Sequence, residues 1–247
     1  MWGVIPAAGN GTRIQPLAFS KELLPVGGRR DETAERPKAV SEYLVERMTR
    51  AGANKICFVI SPGKSDIVEY YGRGRTDAEV AFVVQPEAVG LCDAIFHAHT
   101  VVPADEPVMV GLPDTIWFPE DALAALPDDR LSFLLFPVEQ PQYFDAVVTD
   151  DHGRVLQIQV KSPEARSNWI WGAFKMPGRV FHELRSFWMR RPEPDEYIGT
   201  LVNAWLAQGG EAAGVRAGTS YVDVGTLDGY RSAMQALTAE SEPLAAE

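Results

Sequence analysis

A short apolar stretch, Val4-Ile5-Pro6-Ala7-Ala8, runs straight into Gly9-Asn10-Gly11-Thr12-Arg13, and Lys21 follows in the run Ser20-Lys21-Glu22-Leu23-Leu24-Pro25-Val26. A strand that breaks into glycines beside two cations narrows the folds open to this chain more than any other feature. Glycine lets a backbone wrap closely around a phosphate with its N–H groups pointing inward. Arg13 and Lys21 then bring charge to a polyphosphate already held by the main chain. A plain tight turn would carry the same glycines. Two commoner phosphate motifs are excluded: Ile14 stands where a dinucleotide fold needs its third glycine, and no Gly-Lys-Ser/Thr closes a P-loop.

Beyond the loop, strand-like and helix-like segments alternate. Apolar runs over residues 55–60, 80–84, 107–112 and 131–138 read as buried parallel strands. Residues 37–52 predict a helix, with Val40, Leu44 and Met48 on one face, proline near its start and glycine past its end. Residues 91–99 and 120–126 predict further helical crossovers. This alternation predicts an α/β fold: a Rossmann-like, mostly parallel sheet flanked by helices, with ligands at the carboxyl ends of its strands. After Val138 the texture changes to short strands over 146–149, 155–160 and 169–174, divided by turns such as Asp151-His152-Gly153. They predict a small antiparallel lobe where a second substrate could lie. Helices are expected over 179–189 and 196–207. Residues 27–36 are charged and read as an inserted surface loop, and the last ten residues read as a frayed tail.

At 247 residues the chain can bury a real core. Its net charge is -11, from 23 Lys and Arg against 34 Asp and Glu, which excludes a protein that coats nucleic acid. Cys57 and Cys92 sit in apolar runs, too few for a disulfide framework, and are expected in the core. The four histidines show no metal-ligand spacing. Trp169 and Trp171 alternate along a predicted strand, which suits packing and leaves a sugar-stacking platform as the alternative. No apolar stretch reaches membrane-spanning length and the opening residues lack a signal-peptide pattern. A cytoplasmic protein without a membrane partner is expected.

Taken together, Gly9, Gly11, Thr12, Arg13, Pro16, Lys21, Leu24, Pro25 and Val26 resemble the signature of the sugar-1-phosphate nucleotidyltransferases (nucleotide-sugar pyrophosphorylases). The pattern is most similar to glucose-1-phosphate thymidylyl- and uridylyltransferases. The resemblance implies that Ala8, Gly9, Gly11 and Thr12 wrap the triphosphate of an incoming NTP. Arg13 and Lys21 would be catalytic, offsetting charge as a sugar-1-phosphate oxygen attacks the α-phosphorus and pyrophosphate leaves. Asp114, in Gly111-Leu112-Pro113-Asp114, is by itself either a helix cap or a metal ligand. In the family pattern it and Asp223, in Asp223-Val224-Gly225-Thr226, hold the catalytic Mg2+, which takes one or two carboxylates with phosphate oxygens and waters. Gln85 and Gly90 resemble a base-reading segment, since a glutamine amide matches the imide edge of uracil or thymine. An ordinary polar residue at a strand end is the alternative for Gln85.

Lys161 matches the lysine that meets the sugar phosphate, but Val160 replaces the glutamate that precedes it in relatives, and Ser162 separates it from Pro163. The sugar site must therefore differ, with Tyr143, Asp145, Val160 and Asn168 as candidate sugar contacts. Arg13 and Lys21 also stand closer together than in typical relatives, and the insertion after Val26 is unusual. Without a left-handed β-helix, an added acyltransferase activity is not expected. The resemblance implies a single domain over residues 1–238, with 1–138 the nucleotide-binding half and 139–238 the sugar-phosphate-binding half, then a tail at 239–247. It implies an Mg2+-dependent enzyme making an NDP-sugar and pyrophosphate from an NTP, dTTP or UTP favoured, and a sugar 1-phosphate. Two alternatives stay open: a cytidylyltransferase acting on a phosphorylated polyol or other alcohol, and a non-catalytic nucleotide-sugar sensor. A homo-oligomer is compatible with each.

Overall fold

The computed structural model describes residues 1–30 and 34–241. The chain opens with β1 (Trp2–Pro6), β2 (Pro25–Arg30), β3 (Glu35–Ala39), α1 (Val40–Arg50), β4 (Lys55–Ile60), α2 (Ser65–Tyr71), β5 (Glu79–Val84) and α3 (Leu91–His97). It continues through β6 (Val108–Gly111), β7 (Thr115–Phe118), β8 (Leu131–Pro137), β9 (Asp145–Thr149), β10 (Val155–Val160) and β11 (Trp169–Met176). α4 (Gly178–Met189), α5 (Ile198–Leu206), β12 (Ala212–Val215), β13 (Ser220–Asp223) and α6 (Leu227–Ser241) complete it.

The main sheet follows the order β10-β9-β11-β6-β1-β4-β5, with β8 joined to β11 and β12. β6, β1, β4 and β5 run parallel, whereas β11 is antiparallel to β6, β8 and β9. The expected antiparallel lobe is thus continuous with the parallel sheet through β11. Strand alternation divides the core between the two faces. Val4, Cys57, Val59, Val108 and Val110 enter one cluster with α3, α4 and α5, represented by Ile95, Phe181 and Leu201. Ile5, Ile56, Phe58, Ile60 and Met109 enter the other with Leu44 and Met48 of α1 and Ile67 of α2. Cys57 and Cys92 are free, buried thiols, and burial pushes the Cys57 thiol up to about 12.

Three local expectations are corrected. The helix anticipated from residue 37 begins at Val40, because Pro37 and Ala39 pair with Gly28 and Pro25 across β2 and β3. The described part of the stretch expected as a loop is accordingly strand: β2 and β3 form an antiparallel ribbon, and residues 31–33 lie outside the described residues. Arg29 reaches Glu42 of α1 at 2.9 Å, and Val26 packs with Tyr43, Ile116, Val224 and Ala233 in a third cluster beneath the ribbon. The crossover expected at 120–126 is a single 3-10 turn, Ala122–Ala125. Pro127 follows Leu126 and holds it extended, so the turn cannot propagate. α6 carries the chain through residues 239–241, and the rest of the expected tail, 242–247, lies outside the described residues.

A second, two-stranded sheet, absent from the sequence reading, pairs β7 with β13 and sets Thr115 opposite Asp223. Arg47 of α1 holds it from below: Nε and Nη2 donate to the Trp117 carbonyl at 3.0 and 2.7 Å. α6 leaves β13 and leans on the ribbon, where the Tyr230 hydroxyl donates to the Pro25 carbonyl at 3.1 Å. Among the described residues no helix is long and apolar enough to cross a membrane.

Candidate active site

The parallel strands end on one rim of a cleft of about 1600 Å³. The glycine loop after β1, Gln85 after β5 and Asp114 after β6 all line it, as a sheet of this kind dictates. Gly11 turns the loop with φ of 63°, and an added Cβ there would lie 2.8 Å from Cδ of Lys21. Its glycine character therefore serves twice, making a left-handed turn and letting the lysine lie flat against the loop.

The two aspartates meet because β7 and β13 pair. The Val224 N–H donates to the Asp114 carbonyl at 2.8 Å, which draws the end of β13 to the start of β7. Each carboxylate carries one cation from the loop segment: Lys21 Nζ lies 2.5 Å from Asp114 Oδ2, and Arg13 Nη1 lies 3.1 Å from Asp223 Oδ2. Asp114 is only 8% exposed. Burial pushes its carboxyl up, but the charge and hydrogen bond of Lys21 outweigh burial and leave it below the usual aspartate value. For Lys21 burial works downward, and Asp114 overrides it and raises the ammonium. Both shifts favour the ionised pair.

Gly225 completes this corner. A Cβ there would stand 2.8 Å from Asp223 Oδ1 and 3.0 Å from both Arg13 Nη2 and Asp114 Oδ2. The missing side chain leaves a small cradle bounded by two carboxylates, hard oxygen donors of the kind Mg2+ accepts when phosphate oxygens and water complete its shell. The residues present fit that ion. Among the described residues no three or more His, Cys, Asp or Glu are grouped so as to hold a metal ion by themselves.

Sequence reading missed what holds Lys21. The Ser20 N–H and hydroxyl donate to the Asp66 carboxylate at 2.6 and 2.7 Å. On the other side Lys64 Nζ lies 2.8 Å from both oxygens of Glu22. Burial pushes the Glu22 carboxyl up and the Lys64 ammonium down. Both clamps come from the start of α2, so Lys21 is gripped through its two neighbours. The alternation Ser-Lys-Glu hinted at residues that could be held, but only the fold reveals their partners.

Farther along the cleft, Gln85 is 1% exposed, and its Nε2 donates to Asp93 Oδ2 at 2.5 Å and to the Gly90 carbonyl at 3.4 Å. Gly90, at φ of 134°, has the α5 approach against it: a Cβ would lie 2.8 Å from Cγ of Glu196. The cleft is further lined by Tyr143, Asp145, Lys161, Trp171, Glu196 and Tyr197. Lys161 holds a left-handed φ of 42°, a strained conformation for lysine, while its N–H donates to the Phe144 carbonyl at 3.0 Å. Its Nζ lies 4.5 Å over the Tyr197 ring. Asp145 accepts from Trp171 Nε1 at 3.3 Å, and burial raises its carboxyl above the ordinary value.

Two anticipated sugar contacts are not brought to the cleft lining. Val160 packs against α5, where a Cβ on Gly199 would lie 2.7 Å from its Cγ2. The reason is geometric: α5 covers that face of β10, and valine joins its apolar cluster. Asn168 is exposed outside the lining and gives its carbonyl to the Val138 N–H at 2.8 Å. Trp171 lines the cleft but Trp169 does not; it meets Arg216 instead, at 5.1 Å from the ring centre.

The family profile described as Nucleotidyl transferase matches residues 2–240. The low-salt glycan biosynthesis nucleotidyltransferase of Haloferax volcanii is 29% identical over 218 residues, 82% of this chain and 57% of its own length. The glucose-1-phosphate thymidylyltransferase of Streptomyces griseus is 27% identical over 216 residues, covering 83% of this chain and 58% of that one. The chain spans about half the length of several curated relatives it matches, from 41% to 57%. Among solved structures, a putative glucose-1-phosphate thymidylyltransferase from Bacillus anthracis superposes with a TM-score of 0.80 at 20% identity, covering 100% of this chain and 98% of its own. At that identity the likeness speaks for the fold. The sheet, its rim of loops and the profile match agree, and the chain belongs to the nucleotidyl transferase family.

Proposed function

We propose that the protein transfers a nucleotidyl group from UTP or dTTP to a sugar 1-phosphate, releasing pyrophosphate. The observation that carries this reading is the convergence of the Lys21–Asp114 and Arg13–Asp223 pairs on Gly225, between the glycine loop and Lys161. A sugar-phosphate oxygen forms the new bond to the α-phosphorus as the α–β bridging bond breaks, and the electron pair leaves with pyrophosphate. Such a transfer needs positioning and charge stabilisation more than covalent help. Mg2+ held by Asp114 and Asp223 would supply charge neutralisation at the phosphates. Ala8, Gly9, Gly11 and Thr12 offer backbone to the triphosphate, and Arg13 and Lys21 face the charge that develops. Lys161 receives the sugar phosphate, and Asp145 with Tyr143 takes the hydroxyl-binding part left open by Val160.

A panel of NTPs crossed with sugar 1-phosphates, read by pyrophosphate release with and without Mg2+, tests this. UTP or dTTP with a hexose 1-phosphate should give turnover that stops when the ion is chelated. Turnover confined to CTP with a phosphorylated polyol would replace the reading with a cytidylyltransferase. Tight nucleotide-sugar binding without turnover of any pair would make the protein a sensor.

A further inference from the structure

Gln85 stands one residue past β5, and the neighbours of its amide are unequal. Nε2 meets the Asp93 carboxylate at 2.5 Å and the Gly90 carbonyl at 3.4 Å. Both are acceptors. A carboxylate cannot donate, so only the NH2 end of the amide can face it, and the two possible flips are far from equal in energy. A charge-assisted hydrogen bond is also stronger than a neutral one. Both amide hydrogens are thus drawn to the α3 side, and among the described residues none donates to Oε1. Asp93 is itself held in place: it projects from the first turn of α3, is 16% exposed, and has Nδ1 of His97 at 3.4 Å from the same oxygen.

We infer that Asp93 is a specificity-positioning residue, fixing the Gln85 amide so that the cleft meets an acceptor, Oε1, and not a donor. The inference rests on the reading that Gln85 contacts the base. Uracil and thymine carry N3–H, a donor that Oε1 accepts. Cytosine carries N3 as a bare acceptor, and a locked Oε1 opposite it leaves two acceptors facing each other without a proton. The pyrimidine choice is then set one shell behind the base, by a carboxylate the nucleotide never touches.

The experiment compares kcat/KM for UTP and CTP, at saturating sugar 1-phosphate and Mg2+, in wild type, Asp93→Asn, Asp93→Ala and Gln85→Met. A ratio of two nucleotides on one sample does not depend on how much of that sample is folded. Asn at 93 can offer NH2 to Gln85 and let the amide reverse, so the CTP:UTP ratio should rise roughly tenfold, the equivalent of one modest hydrogen bond. Asp93→Ala, with only the Gly90 carbonyl left to hold the amide, should fall between Asn and wild type. An unchanged ratio in both Asp93 variants, with UTP preference lost in Gln85→Met, would overturn the positioning role and leave the base contact standing. An unchanged ratio in Gln85→Met as well would remove the base contact, and the inference with it.

Discussion

The two ends of the cleft are built on different principles. At the phosphate end every charged group has a fixed partner: Lys21 with Asp114, Arg13 with Asp223, and Glu22 with Lys64 behind them. At the end proposed for the sugar, Lys161 lies over a ring face, gives its N–H to a backbone carbonyl and lends its charge to Asp145, and Tyr143 is 66% exposed. Lys21, Asp114, Glu22 and Lys64 are organised before substrate arrives, because at their depth a charge left unpaired would be costly. The second end leaves its polar groups to be satisfied by what binds. Substitutions at the phosphate end should therefore act on turnover, and substitutions at the sugar end on KM for the sugar phosphate.

The strongest way to break this contrast is Asp114→Asn. It removes the charge paired with Lys21 and, under the proposed function, one of the two carboxylates that would hold Mg2+, so kcat should fall by about a hundred- to a thousandfold, the loss typical of one charge-stabilising group. Steady-state rates across a range of Mg2+ would check it; wild-type turnover with unchanged Mg2+ dependence would remove Asp114 from the chemistry. Gly225→Ala comes next. Its Cβ would intrude among three charged atoms, so kcat should drop on the order of tenfold or more, as small misplacements at a reacting centre do. Thermal unfolding should hardly move, because φ at this glycine is not in the left-handed region.

A third substitution probes the clamp. Lys64→Met leaves the Glu22 carboxylate buried without its partner and should cost on the order of 3 kcal/mol of stability. The paired change Glu22→Leu with Lys64→Met should recover much of that stability while turnover stays several-fold low, because Lys21 has still lost a grip. Denaturant melts with parallel kcat measurements separate the two outcomes. If turnover returns together with stability, the pair acts on folding alone.

The smallest effect is expected at the sugar end. Burial raises the Asp145 carboxyl, so ionising it opposes folding: its contribution to stability is fullest below about 3.8, the ordinary aspartate value, and is lost as pH rises through the folded value. Asp145→Asn should leave the protein as stable or slightly more so at pH 7. KM for the sugar 1-phosphate should rise several-fold, as when a charged acceptor is exchanged for a neutral one. In wild type the same KM should climb on acidification, beginning above the pH at which an ordinary aspartate protonates. A KM that ignores both changes would detach Asp145 from the sugar.

The phosphate end was the more legible in sequence, for a physical reason. A strand that must stop to bind phosphate shows glycines and charges at its end, so the loop, Asp114 and Asp223 stand out against apolar neighbours. The partners behind the site do not, since Asp66 and Lys64 beside Lys21, and Asp93 behind Gln85, are ordinary polar residues in or beside a helix until the fold brings them across. Val160 shows the opposite failure. Its position in a motif suggested the cleft, but which way a strand-end side chain leans was decided by α5, which begins almost forty residues later. The ribbon at residues 27–36 read as a loop because its stabilising contacts, with Glu42 and Tyr230, are not local either.

The Arg13–Asp223 pair joins residues 210 positions apart, and Lys21–Asp114 joins residues 93 apart. Contacts of such separation close large loops and form late, after the entropy of closure has been overcome. During synthesis the glycine loop emerges 210 residues before Asp223 and waits that long for its second acid. An unfinished or clipped chain would carry the loop yet lack the corner at Gly225. Under the proposed function, competence for chemistry is thereby tied to the folding of residues far apart in the chain, and the corner at Gly225 doubles as a checkpoint on assembly.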